Sequence, residues 1–443
     1  MQNHHSALRA VAIILLLVGT GTSELVAQAR TPRLGQEVDS LLAVLAPQHP
    51  RLRSGAASLR AAESRVGVGL PRDPLSLDTE VEGVGRDGLA DAQSIKVGVT
   101  SLLYRGRRGG ATRESFRAAA GQAGAQLALT RKSVEAGLRL DLVGWLAWSG
   151  IEHRLEARDS LFGLAADLLN ARFSVGSARY LDVLRLRTER LAIARERANA
   201  QAQATTHLLA LRALAGRDRA LAPELDRRLA EWERRGAWSE LTGLVLDTPL
   251  ATVDSAVARY LAARRDGISA AAAGGRAERG LAVFGTLGVQ RFLDTDGAFT
   301  TGPTFGLSLG LPFSLTGTYR REREVFALVR LADSARLASD ETAWRVEQSR
   351  AVASRNAAVE RARLYDAALL VGASEEREAA LAGFRTGAIS LLELIDFEQA
   401  LAEVERGRLL TLLDVLVADQ ALVQSALQSF APSGVDLAQG ITP

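Results

Sequence analysis

Cysteine is absent from the 443-residue chain, and methionine occurs once, as Met1. The first absence excludes disulfides, thiol chemistry and a lipidated cysteine at a processed N-terminus; the second excludes a relay of methionines for a soft metal ion. Proline is withheld from two long windows, between Pro74 and Pro223 and between Pro312 and Pro432. Both are dense in Ala, Leu, Arg and Glu, the strongest helix formers, and proline is what breaks a helix interior, so each window predicts a very long helix. Charge of one sign is also lacking: the net charge is +3 and the arginines are spread along the helical windows, which gives no clustered surface for nucleic acid. His49, His153 and His207 stand apart from one another, and no phosphate loop, metal-ligand spacing or nucleophile–base pattern occurs. The chain therefore reads as a non-enzyme with no catalytic residue, no metal site and no cofactor.

Long apolar runs are scarce as well. Residues Met1 to Ala29 carry His4, His5 and Arg9, then AVAIILLLVG, then Val26-Ala27-Gln28-Ala29, the order of a cleavable secretory signal peptide, and the mature chain is expected to begin at Arg30. The apolar core, Ala10 to Gly19, is shorter than the roughly 20 residues a membrane-spanning helix needs, and no other segment reads as such a span.

What is present is a duplication. FSVGSARYLDVL at Phe173–Leu184 returns as FRTGAISLLELI at Phe384–Ile395, and Phe173/Phe384, Gly176/Gly387, Leu181/Leu392 and Asp182/Glu393 are each 211 residues apart. Gly106 and Gly317 keep the same offset, so each half holds seventy residues between its two glycines. A helix of that length would run on the order of 100 Å at about 1.5 Å per residue. The shorter helical stretches Pro50–Gly69 and Ala178–Gly216, and Leu250–Ala277 and Ala388–Phe430, nearly match this length when taken in pairs, as if laid end to end beside the rods.

Two hairpins precede the rods. After a short lead, Leu34 to Leu45, and the helix opened by Pro50, the period changes to two. Leu75, Leu77, Thr79 and Val81 alternate with polar residues, Asp87-Gly88 marks a turn, and Ile95, Val97 and Val99 follow. In the second half Leu281, Val283, Leu287 and Val289 lead through a loop at Asp294–Gly297 to Phe305, Leu307, Leu309, Leu311 and Phe313. Such alternation fits either a half-buried soluble sheet or a barrel wall in lipid. The acidic face of Ser76–Glu82, the aromatic pair Phe292 and Phe299, and secretion without a helical anchor favour the barrel wall. Four strands cannot close, since about eight are needed for even a filled barrel, so the chain is expected to oligomerise.

These features divide the chain into a signal peptide (1–29), a first repeat (30–216), a charge-rich equatorial linker (217–247), a second repeat (248–431) and a tail (432–443). With HPRLRSGAASLRAAESRV ahead of the first strand pair and the doubled F-x-x-G-x-x-x-x-L-[DE]-[VL]-[LI] segments at one offset, the mature chain resembles the TolC-like outer-membrane efflux proteins. The resemblance implies a mainly α fold: a long α-helical barrel continuous with a transmembrane β-barrel, four strands per chain, closed by trimerisation. It implies a homotrimer in outer-membrane lipid, reaching into the periplasm and docking a periplasmic adaptor (membrane fusion) protein and an inner-membrane transporter. The repeated segments would form the periplasmic tip and gate, with Phe173, Gly176, Asp182, Phe384, Gly387 and Glu393. Some members lock the tip through an aspartate, an arginine and an aromatic hydroxyl. Here Asp182 and Phe384 hold two of those places, but Ile389 replaces the arginine and Phe384 has no hydroxyl, so packing or charge repulsion is the expected gate.

Plainer roles stand beside these. Gly176 and Gly387 are suited to tight turns, Ser390–Glu393 has the capping-box pattern, Asp182 suits a helix N-terminus, and Phe173, Tyr180 and Phe384 could pack a seam. The alternative architecture is a secreted periplasmic coiled-coil scaffold or adaptor, which would need a continuous heptad seam. Leu181, Leu184 and Leu191 begin one, but Thr188 and Arg195 interrupt it.

Overall fold

The computed structural model describes residues 33–68, 76–82, 94–104, 108–174, 176, 179–216, 220–247, 253–277, 282–293, 298–310, 318–386 and 388–430. The signal peptide, the start at Arg30, the turn at Asp87-Gly88, the loop at Asp294–Gly297, Gly106, Gly317, Gly387 and the tail lie outside them.

The lead is itself a helix, α1 (Arg33–Leu45), because Leu34, Val38, Leu41, Leu42 and Leu45 recur at helical spacing and are all buried. Pro50 opens α2 (Pro50–Val68), where its missing N–H costs nothing, and the Arg51 N–H donates to His49 Nδ1 at 3.2 Å. The first proline-free window holds α3 (Arg108–Ser174), one helix of 67 residues, followed by α4 (Tyr180–Ala215). Then come α5 (Leu221–Arg234), α6 (Leu241–Leu246) and α7 (Asp254–Ala277). α7 starts four residues later than the composition suggested.

The second window departs from the expected unbroken rod. α8 (Thr318–Leu364) passes through a π turn, Tyr365–Leu369, into α9 (Leu370–Thr386), and α10 (Leu391–Ser429) follows. The π turn accommodates one extra residue in the ladder, and its surroundings fix it: the Tyr365 ring lies against Gly407, where a Cβ would come within 2.6 Å of Tyr365 Cε1. Asp366, the next residue, accepts from Arg408 Nε at 2.8 Å, and Arg408 Nη2 donates to Thr242 Oγ1 at 2.6 Å.

The strands are β1 (Ser76–Glu82), β2 (Ser94–Tyr104), β3 (Ala282–Leu293) and β4 (Phe299–Gly310). They form one antiparallel sheet in the order β1-β2-β3-β4, so the two hairpins join through β2 and β3. β4 begins at Phe299, earlier than the alternation from Phe305 indicated, and runs through Pro303.

Contacts divide the chain into two compact units, Met1–Leu52 with Arg131–Ala251 and Glu347–Ser425, and Arg53–Thr130 with Thr252–Val346 and Ala426–Pro443. Each draws on both sequence repeats. In the first, the stretch read as an equatorial linker folds onto α1: Leu225, Leu229 and Trp232 are buried, Trp232 Nε1 donates to Glu37 Oε2 at 2.7 Å, and Arg235 Nη2 donates to the same oxygen at 2.8 Å. In the second, Tyr260, Phe430 and Trp344 form an aromatic cluster with ring centroids 5.2 and 5.9 Å apart.

One expectation is corrected by α10. Leu392–Ser429 contains an 18-residue window of mean hydropathy 1.4, apolar and long enough by composition to cross a membrane. Its Leu409, Leu412, Val415, Leu416, Leu422 and Val423 are buried within the protein, which accounts for that hydropathy.

Candidate functional site at the hairpin turns and the sheet

The first turn is made by a glycine. α3 ends at Ser174, Gly176 takes the left-handed conformation at φ 73°, and its N–H donates to the Phe173 carbonyl at 3.0 Å. Arg179 is extended and α4 begins at Tyr180, bringing the Phe173 and Tyr180 rings to 5.7 Å. Both rings remain exposed, as does Leu181, so the turn carries an apolar surface. Asp182 occupies the first turn of α4, where a negative charge complements the helix dipole, and its N–H donates to the Arg179 carbonyl at 3.1 Å.

The second turn is built differently. The N–H groups of Ala388 and Ile389 both donate to the Gly383 carbonyl, at 2.8 and 3.4 Å, and Phe384 is half-buried just before. Ser390 and Glu393 then close a reciprocal capping box: the Ser390 N–H donates to Glu393 Oε2 at 2.6 Å, and the Glu393 N–H donates to Ser390 Oγ at 3.3 Å. The first of these bonds holds the Glu393 carboxyl below its ordinary range. The capping pattern read from the sequence is thus formed, and Ile389, standing where an arginine lock would need its cation, packs its side chain against Gly383.

The two turns are linked by residues that sequence reading missed. Arg185 Nη2 of α4 donates to Asp396 Oδ1 of α10 at 3.3 Å, Gln399 Nε2 donates to Glu189 Oε2 at 2.6 Å, and Arg406 lies 3.8 Å from Glu196. A signal existed for the first pair. Arg185 and Asp396 are 211 residues apart, the offset of the duplication, so equivalent positions of the two repeats carry opposite charges and meet each other.

Between α3, α4, α9 and α10 lies a cavity of about 730 Å³ with charged walls, including Arg158, Arg377, Glu398 and Glu405. Arg377 Nε donates to Glu398 Oε1 at 2.7 Å, and Arg154 Nη1 sits 3.3 Å from Glu405. Burial pushes the Glu405 carboxyl above its usual range against the pull of Arg154, and burial likewise lowers the Arg158 pKa. Arg190 of α4 grips Asp159 of α3 through Nε at 2.9 Å and Nη2 at 3.3 Å, and the hydrogen bond keeps that carboxyl below its ordinary value. Of the aromatic and histidine residues singled out from the sequence, Trp145 is buried, Trp148 lines the cavity, the His153 ring lies 5.0 Å from that of Trp238 in a tilted arrangement, and His207 Nδ1 lies 3.0 Å from Asp141. Among the described residues no group of three potential ligands is placed to hold a metal ion.

The sheet has two unlike faces. Register aligns Leu77, Val99, Leu287 and Phe305 in one row, and Thr79, Val97, Val289 and Pro303 in the next. The large apolar side chains of these rows are exposed: Leu77 is 70% exposed, Leu287 60% and Phe305 80%. The opposite face is polar, with rows Glu80, Lys96, Gln290, Gly302 and Ser76, Thr100, Thr286, Gly306. Lys96 Nζ pairs with Glu80 at 3.3 Å, the Thr100 and Thr286 hydroxyls are 2.8 Å apart, and Gln290 Nε2 donates to Ser94 Oγ at 2.7 Å. One reading is corrected here. Phe292 pairs with Ser94 and Thr300 on the polar face, whereas Phe299 pairs with Leu293 in the alternate register, so the two rings belong to opposite faces and form no common girdle.

No protein-family model and no curated protein matches the sequence. Solved structures do. The chain is similar to a membrane protein from Pseudomonas aeruginosa (TM-score 0.64, 14% identity, covering 88% of this chain and 93% of that one). It is similar to the outer-membrane channel OprN (TM-score 0.62, 18% identity, 88% and 91%) and to the CmeC outer membrane channel of Campylobacter jejuni (TM-score 0.61, 13% identity, 91% and 88%). At these identities the likeness is one of fold.

Proposed function

We propose that this chain, which has the fold of the TolC-like outer-membrane channels, is the outer-membrane duct of a tripartite efflux or secretion system. The observation that carries the proposal is the sheet. A soluble sheet hides its apolar face, whereas here the apolar face is left exposed along all four strands and the polar face is laced by side-chain hydrogen bonds. That inversion suits a barrel wall with lipid outside and water within. β3 and β4, at 12 residues each, are long enough for a tilted crossing of the hydrocarbon layer, which takes about 9–11 residues.

Three copies of a four-stranded sheet give a twelve-stranded barrel with an open lumen; two would give the filled eight-stranded kind. In this reading the homotrimer sits in the outer membrane with its helices in the periplasm, and it conducts passively what an inner-membrane transporter and its periplasmic adaptor deliver. The hairpin turns are the docking and gating end. Exposed Phe173, Tyr180 and Leu181 offer an adaptor an apolar contact, while Asp182 and Glu393 supply negative charge at a constriction.

Mass measurement of the detergent-solubilised complex, joined to conductance in planar bilayers, tests the proposal. A trimer that conducts is the expected result. A monomer or dimer in the soluble periplasmic fraction would instead support the secreted scaffold, which gives no reason for an exposed apolar sheet face.

A further inference from the structure

The apolar face of the sheet carries a single charge among the described residues, Arg291. It lies in the row Val81, Ile95, Arg291, Thr301, two residues before β3 ends at Leu293. This is the sheet end next to the β3–β4 connection, opposite the end at which β2 leads on toward α3 and β4 toward α8. A guanidinium facing hydrocarbon is costly at the bilayer midplane and nearly free at the interface, so its position marks the membrane boundary on the face that lipid would wet.

The surroundings of Arg291 are those of an anion clamp. Its guanidinium carbon stands 4.1 Å over the centroid of the Phe299 ring, and both residues are exposed. Stacking uses the flat face of the guanidinium and leaves its in-plane N–H groups directed outward, in the fork that matches two oxygens of a phosphate. Two residues along the same strand, about 7 Å away at about 3.4 Å per residue, is Val289, with Val97 beside it, both exposed and apolar. A ligand meeting both features has an anionic phosphate at one end and hydrocarbon at the other.

Resting on the barrel reading above, we infer that Arg291 and Phe299 form a binding site for the phosphate headgroup of an anionic membrane lipid, in the leaflet beside the β3–β4 connection. A lipid headgroup is favoured over a free anion because Ile95, Val97 and Val289 on one side of the cation are apolar surface that acyl chains would cover.

Native mass spectrometry of the full-length protein tests this, with phosphatidylglycerol and a neutral galactosyl diacylglycerol of equal chain length as probes. The wild-type complex is expected to retain phosphatidylglycerol and not the galactolipid, and an excess of inorganic phosphate should not displace it. Arg291→Gln should lower retention about five-fold, the equivalent of about 1 kcal/mol for one basic residue at an anionic surface, and Arg291→Lys should keep most of it. Equal retention in the wild type and in Arg291→Gln would overturn the inference while leaving a conducting trimer intact. Displacement by inorganic phosphate would overturn it in favour of a soluble-anion site. A protein that carries no lipid of either kind and forms no trimer would take the barrel reading down with it.

Discussion

At the scale of single residues, the charged cavity offers the sharpest test, because Glu405 is a carboxylate whose burial works against its ionisation. Its folded-state pKa lies above the unfolded value, so the ionised form costs stability at pH above the folded pKa, and that cost is relieved as pH falls through it toward the ordinary range near about 4.3. Glu405→Gln removes the cost without changing the shape. The thermal midpoint at pH 7 should rise, and its slope between neutral pH and the carboxylate range should flatten. A midpoint that drops on substitution would mean that the ion pair with Arg154, at 3.3 Å, outweighs the desolvation. Nothing in the sequence distinguished Glu405 from the other acidic residues of its helix. Burial there comes from packing against elements far away in the chain, and a charge among charges leaves no local pattern.

At the scale of elements, proline spacing and period-two alternation made the long helices and the sheet legible, because both signals are local. The faces of the hairpins could be assigned from Leu77, Val97, Val99, Leu287 and Val289 alone, and the register bears them out. Pro303 hid the first half of β4, since a proline has no N–H to give a ladder and tells against a strand. The π turn was hidden for a different reason: it depends on Tyr365 meeting Gly407, a contact between two helices. That contact yields a prediction. In Gly407→Ala the new methyl would stand 2.6 Å from Tyr365 Cε1, so either the ring or the π turn has to move. Chemical denaturation should show a loss of about 1–3 kcal/mol, as for other overpacked sites, and combining the change with Tyr365→Leu should recover most of it. If the single substitution is neutral, the π turn is pliable and is not held by the ring.

At the scale of the whole molecule, the duplication places Asp182 and Glu393 at equivalent points of two helices, and the proposed trimer would present three of each near one constriction. Their local environments differ, which lets capping and gating be separated. Glu393 is held by Ser390, its pKa depressed, so its contribution to stability is present above the unfolded value and is lost as pH falls through the folded one. Asp182 has the dipole position but no capping partner of that kind among its described contacts. Glu393→Gln is therefore expected to lower the thermal midpoint at neutral pH and to remove its acid dependence in that range, whatever it does to conduction. Asp182→Asn should leave the midpoint nearly unchanged and reduce cation preference in single-channel recordings, because an acidic ring concentrates cations. That reduction should be visible at 0.1 M salt and fade toward 1 M, as the Debye length shrinks from about 10 Å to about 3 Å. Unaltered selectivity in Asp182→Asn at low salt, in a channel that still conducts, would show that the constriction lies elsewhere and that both carboxylates serve their helices.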